Sequence, residues 1–226
     1  MEQNFLLDQL AKGGWMMWPL LACSLLSLAF IVERLWGLYR VPADDEFERQ
    51  LEEAEQALNA GGEEGAVAHL GQGGGGVLNY VFSALLKRFD ALVLENRKDV
   101  EDVRQELIIT TEESAAEYLG RFLNGLGTIG VIAPLLGLLG TITGMIRAFD
   151  AIARTGVGDP GAVAGGISEA LITTASGLII AIPTIVFHRF LTGKAAKVFK
   201  RIELYCHAYA NTLLTRSQAT QQQAGG

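Results

Sequence analysis

One carboxylate, Glu169, stands inside an apolar stretch built otherwise of small, hydroxylated and branched residues. That stretch, residues 161–191, reads GAVAGGISEALITTASGLIIAIPTIVFHRFL. A second, GLGTIGVIAPLLGLLGTITGMIRAF at residues 125–149, sets Thr141 among glycines. Each is long enough to cross a bilayer, which takes about 20 apolar residues. An acid at such a place costs free energy unless it has a partner or a function. Small residues let helices approach closely, and hydroxyls both donate and accept hydrogen bonds. Together these residue types point to ion handling along a polar path inside a helical bundle.

At about 100° per residue, Gly127, Gly130, Pro134, Gly137 and Gly144 fall within about 60° of Thr141, and Thr143 falls on the far side. Thr141 is therefore expected on the small-residue face. Measured from Glu169, an arc from about −40° to about +140° holds Gly165, Gly166, Ala170, Thr173, Thr174, Ser176, Gly177, Ala181 and Thr184. Leu171, Ile172, Leu178, Ile179, Ile182 and Val186 take the remaining, lipid-facing side, with Ile180 and Phe187 as exceptions. Thr173 lies closer to Glu169 than Thr174, which sits at the edge of the arc. Glycines alone make only a packing seam, and an acid a few residues inside a span can snorkel to the interface. Thr141 at the centre of the seam argues for a polar lining.

The elements that position these groups follow from the charge pattern. Of the 226 residues 50% are hydrophobic, and the mean hydropathy is +0.27, yet charges are segregated rather than scarce. That is a membrane pattern. A net charge of −7 argues against nucleic acid as a partner. A first span at residues 15–36 has Trp15 and Trp18 at one end and Trp36 and Tyr39 at and beyond the other, like interfacial belts. Residues 44–59 place Phe47, Leu51, Ala54 and Leu58 on one helical face. Glycines at 61–76 break that helix. From Val77 the pattern stays helical, with Val81, Leu85, Phe89, Leu92, Val103 and Leu107 among its apolar positions, and predicts one long helix running into the second span. The tail QATQQQAGG is expected to be disordered.

The whole reads as an all-α integral membrane protein with three spans and long helical extensions. A periplasmic segment at 1–14 precedes the first span, and a cytoplasmic helical region covers 37–124. The second span at 125–149, a short periplasmic loop at 150–161, the third span at 162–191 and a cytoplasmic tail at 192–226 follow. Basic residues at 34, 40, 121, 194, 197, 200 and 201 set this orientation by the positive-inside rule. The N-terminus lacks the basic start and cleavage site of a signal peptide.

Cys23 and Cys206 are expected at different depths and unpaired, and no Cys/His spacing suggests a metal. The run Gly125-Leu126-Gly127-Thr128-Ile129-Gly130 spells a dinucleotide fingerprint, but it lacks the preceding strand that motif requires. No cofactor is expected. No nucleophile, base and orienting group converge, so an enzyme is not expected.

At GLLGTITGM, ISEALITTASGLIIAIP and GGWMMWPLLACSLLSLAFIVERL the chain resembles the MotA/TolQ/ExbB proton-channel family, most closely its ExbB/TolQ branch. The resemblance implies an oligomeric ring in the bacterial inner membrane, five copies around the single spans of two ExbD- or TolR-type partners. The partner would supply a protonatable aspartate and pull on a TonB- or TolA-type protein. By motif, the resemblance places the pore hydroxyls at Thr141 and Thr174 and the acid at Glu169, while the wheel leaves Thr173 open beside Thr174. ExbB and TolQ roles are not separated, nor is the cargo. Three spans argue against the flagellar branch, which has four. Protons fit better than sodium, for which one carboxylate and a few hydroxyls define no coordination shell. A non-conducting membrane scaffold is the rival reading.

Overall fold

The computed structural model describes residues 12–39, 41, 49, 52, 53, 56, 76–94, 100–155 and 160–224. Its helices are α1 (Met17–Tyr39), α2 (Val77–Leu94), α3 (Val100–Gly120), α4 (Leu123–Thr155) and α5 (Pro160–Ala224). Among the described residues there is no strand, and the all-α expectation holds. Three stretches are long and apolar enough to span a membrane: Met17–Tyr39, Leu123–Arg154 and Val163–Leu204. The chain is a multi-pass membrane protein. It divides into two compact units, Met1–Arg34 with Phe122–Leu191, and Leu35–Arg121 with Thr192–Gly226.

In the first unit a turn leads into α1, with Met17 N–H donating to Gly14 O at 3.2 Å. Pro19 falls in the first turn of α1, where a missing N–H costs nothing. The interior gathers Met17, Leu20, Ala133 and Ala181, with Leu136, Ile172 and Ile180 packed against them. Leu171, Leu178, Ile179, Ile182 and Val186 are exposed, as the lipid-facing side requires. Ile172 departs from that side: it lies close enough to the edge of the small face to reach the interior.

The α4–α5 seam depends on absent side chains. A β-carbon on Gly144 would stand 2.7 Å from Gly166 O and 3.0 Å from Ala170 N. One on Gly177 would stand 2.6 Å from Ala133 O. The two backbones therefore touch directly, which is how helices gain packing where burial against lipid gives no hydrophobic drive. Pro134 and Pro183 are accommodated inside α4 and α5, as membrane helices permit.

In the second unit α2 and α3 pair antiparallel, with Arg88 bonded to Glu106 and Tyr80 OH donating to Glu117 Oε2 at 3.1 Å. The predicted apolar positions Val81, Leu85, Phe89, Leu92, Val103 and Leu107 are buried, as are Ala195, Val198 and Ile202 of α5. Lys194 Nζ stands over the Tyr39 ring at 3.6 Å, a cation–π contact.

The single long helix expected from Val77 into the second span is broken. α2 ends at Leu94, and α3 ends at Gly120, before Phe122 adopts φ 65°. A left-handed phenylalanine is strained and needs outside support. Phe30 supplies it with ring centroids 5.2 Å apart, and the Arg34 guanidinium lies 5.5 Å from the Phe122 ring. The tail expected to be disordered continues α5 as helix to Ala224, because no Gly or Pro falls between Lys194 and Ala224 and propagation needs no new nucleus. Of the amphipathic helix expected at 44–59, all but Arg49, Glu52, Glu53 and Gln56 lies outside the described residues, as does the glycine linker up to residue 75.

Candidate functional site

Glu169 stands in α5, with only 11% of its side chain exposed. Its backbone carbonyl and that of Ala170 accept the Thr173 hydroxyl at 3.1 and 2.9 Å. Thr173 is fully buried in the seam, where its side chain fills the space above Gly140. Thr174, half-buried, donates instead across the seam to Gly137 O at 3.2 Å. The two adjacent threonines thus divide between filling the seam and bridging it.

Thr141 Oγ1 donates to Leu138 O at 2.6 Å within α4. Around Thr141, Gly137 and Gly144 meet the α5 backbone and Gly140 meets the Thr173 side chain, so the contact line runs beside Thr141 rather than through it. Within one chain, Glu169 and the Thr173 hydroxyl are brought together along α5, while the recorded hydrogen bonds of Thr141 and Thr174 go to separate carbonyls. Each hydroxyl is anchored through its proton and keeps lone pairs for a water or a partner group.

Two groups that the wheel did not select complete the site. Arg147 Nη1 lies 2.7 Å from Glu169 Oε1 and 2.8 Å from Oε2. Gly14, at φ 65°, passes so close that a β-carbon on it would collide with Glu169 Oε1, 2.7 Å from Cδ and 3.1 Å from Arg147 Nη1. In the sequence Arg147 is only a charge near a span end, and Gly14 only a glycine before a tryptophan. Ser27 is a third group that the sequence did not single out; it shares a buried hydrogen bond of 2.7 Å with Thr184, which the sequence had placed on the small face.

The dinucleotide-like run at Gly125–Gly130 lies inside α4, with no strand before it among the described residues. Cys23 is a free thiol. In the second unit Glu112, Glu203 and His207 bring their ligand atoms within 4.8 Å of one another, the one such metal-capable group among the described residues.

A sequence profile of the MotA/TolQ/ExbB proton channel family matches residues 76–204, more than half of the chain and all of the α4–α5 seam. The chain belongs to the MotA/TolQ/ExbB family. Similar proteins bear matching names. Biopolymer transport protein ExbB-like 3 of Synechocystis is 34% identical over 193 residues, covering 84% of this chain and 87% of that protein. Biopolymer transport protein exbB1 of Vibrio cholerae is 29% identical over 201 residues, 84% of this chain and 80% of that one. ExbB of Neisseria gonorrhoeae is 32% identical over 120 residues, 52% and 54%. In this MotA/TolQ/ExbB member, Glu169, Thr141, Thr173 and Thr174 all lie inside the profile's match, whereas Gly14 and Ser27 lie outside it.

Proposed function

We propose that this chain is the ring subunit of a proton-driven motor in the bacterial inner membrane, with a periplasmic N-terminus and a cytoplasmic C-terminus. Five copies surround an ExbD/TolR-like single-span partner, present as a dimer. The motor drives a TonB- or TolA-like protein for TonB-dependent outer-membrane transport or envelope maintenance. The observation that carries this is Glu169, a carboxylate 11% exposed inside an apolar helix of a proton-channel family member. Such an acid is a functional group by default.

The partner's carboxylate takes up the proton, and Thr141 and Thr174 hold it or an intervening water without carrying charge. Glu169 lies near the periplasmic end of the path. The membrane potential supplies about 2.3 kcal/mol per charge per 100 mV. The hydroxyls support this use because each bonds a backbone carbonyl through its proton and leaves its acceptor side available.

A non-conducting scaffold is the alternative, and the fully buried Thr173 favours it, because that hydroxyl serves packing. The native mass and composition of the protein, purified from its host in mild detergent, test the two. A multimer holding a small one-span protein supports the motor. A bare monomer or dimer in several detergents leaves the scaffold.

A further inference from the structure

Three elements meet at Glu169: the turn at Gly14 before α1, the C-terminal part of α4 through Arg147, and α5 itself. The carboxylate is 11% exposed and the guanidinium 52%. One nitrogen, Nη1, faces both carboxylate oxygens, so the contact is not the two-nitrogen fork that makes the strongest arginine pairs. Gly14 closes over both partners, and its positive φ together with the lack of room for a β-carbon makes glycine the residue that fits there.

We propose that Arg147 is a latch on Glu169. With the Gly14 turn closed over the pair, the acid is held inside its own chain and withheld from the ion path. It is released when the guanidinium turns to another acceptor, water or a carboxylate of another chain. The geometry suits exchange: the acid side is covered, while the arginine is half-exposed and engaged through a single nitrogen. A buried acid without a counter-charge is costly, so Glu169 does not leave the latch until another partner is offered. Arg147 acts through Glu169 and is a positioning residue. This rests on the reading that Glu169 belongs to a proton path.

The test uses the full-length protein with its bound partners, reconstituted in liposomes that enclose a pH-sensitive dye. Proton entry is followed under an imposed potassium diffusion potential. Arg147→Gln should leak about tenfold more than the parent, the population shift for a coupling near the low end of the usual range. Arg147→Lys should stay tight, and Arg147→Gln with Glu169→Gln should leak less than Arg147→Gln alone, since the released acid is then gone. Gly14→Ala, which forces the turn off the pair, should leak as well, and serves if Arg147→Gln does not assemble. Tight vesicles with an assembled Arg147→Gln ring, or with Gly14→Ala in its place, overturn the latch. So does equal leakage from Arg147→Lys and Arg147→Gln, since a retained charge would then make no difference. Coupled transport in Glu169→Ala cells separates the two levels. Intact transport there sinks the motor itself, while lost transport with a tight Arg147→Gln ring sinks the latch alone.

Discussion

The Ser27 hydroxyl of α1 lies 2.7 Å from the Thr184 hydroxyl of α5, and Thr184 also donates to Ile180 O at 2.6 Å. Thr184 has one proton, which the Ile180 carbonyl takes, so Ser27 is the donor between the helices. Both groups are buried, at 5% and 1% exposure, so the bond joins α1 to α5 away from solvent.

Thr184→Val should therefore cost more than Ser27→Ala. The valine leaves the Ser27 donor without its acceptor, whereas the alanine leaves Thr184 with its own carbonyl. Interhelical hydrogen bonds in membranes average about 0.6 kcal/mol, and the orphaned donor should raise the valine's cost to about 1–2 kcal/mol. Thermal unfolding of the two variants in one detergent gives the order, and equal costs would contradict the donor assignment.

Gly144→Ala and Gly177→Ala should each force α4 from α5, because the new carbon meets backbone oxygen at 2.7 and 2.6 Å. Overpacking of this kind costs about 1–3 kcal/mol. Gly165→Ala is the control: nothing lies within 4 Å of its β-carbon, and helix propensity favours the change. Melting temperatures should fall for the first two and hold or rise for the third.

On the proposed motor reading, Thr141→Ala combined with Thr174→Ala should abolish energised transport without dissolving the complex. Thr174 contributes one bond to Gly137 O and Thr141 one to its own helix, so structural loss is about 1–2 kcal/mol in total. Growth on a substrate that needs energised uptake, read beside the native mass of the variant, checks both halves. Full growth would remove the hydroxyls from the path.

Tyr80 should ionise at a higher pH than an ordinary phenol. Its hydrogen bond to Glu117, and then the charge of that carboxylate, push the phenol up from its ordinary value. A raised folded value means that the contact stabilises fully below the unfolded phenol's pKa, about 10, and fades as pH rises through the folded one. Tyrosinate absorbance of the parent minus Tyr80→Phe should show a late component, and an ordinary titration would break the Tyr80–Glu117 contact as drawn.

Much was legible in the chain before any fold. Spans need only length and hydropathy, so the apolar stretches marked three membrane-competent helices. Period 3.6 alone sorted Leu171, Ile179 and Ile182 outward and Glu169, Ala170 and Thr173 inward. The motifs around Thr141 and Glu169 carried the family. Such properties are local: each residue's contribution depends on its own side chain and its place on one helix.

Tertiary structure decided what depends on two segments meeting. No periodicity announces a left-handed Phe122, because its support comes from Phe30 and Arg34, far back in the chain. A wheel drawn on α4 centres the small face on Thr141, but the rotation of α4 against α5 is set by how their backbones fit, and that places Gly137, Gly140 and Gly144 at the contact. The same fit sends adjacent threonines to different work, Thr173 into the seam and Thr174 across it. Glu169 could be found from its own type and position. Its partners Arg147 and Gly14 could not, because a charge pair and a close approach are properties of distance in space, which the order of residues does not contain.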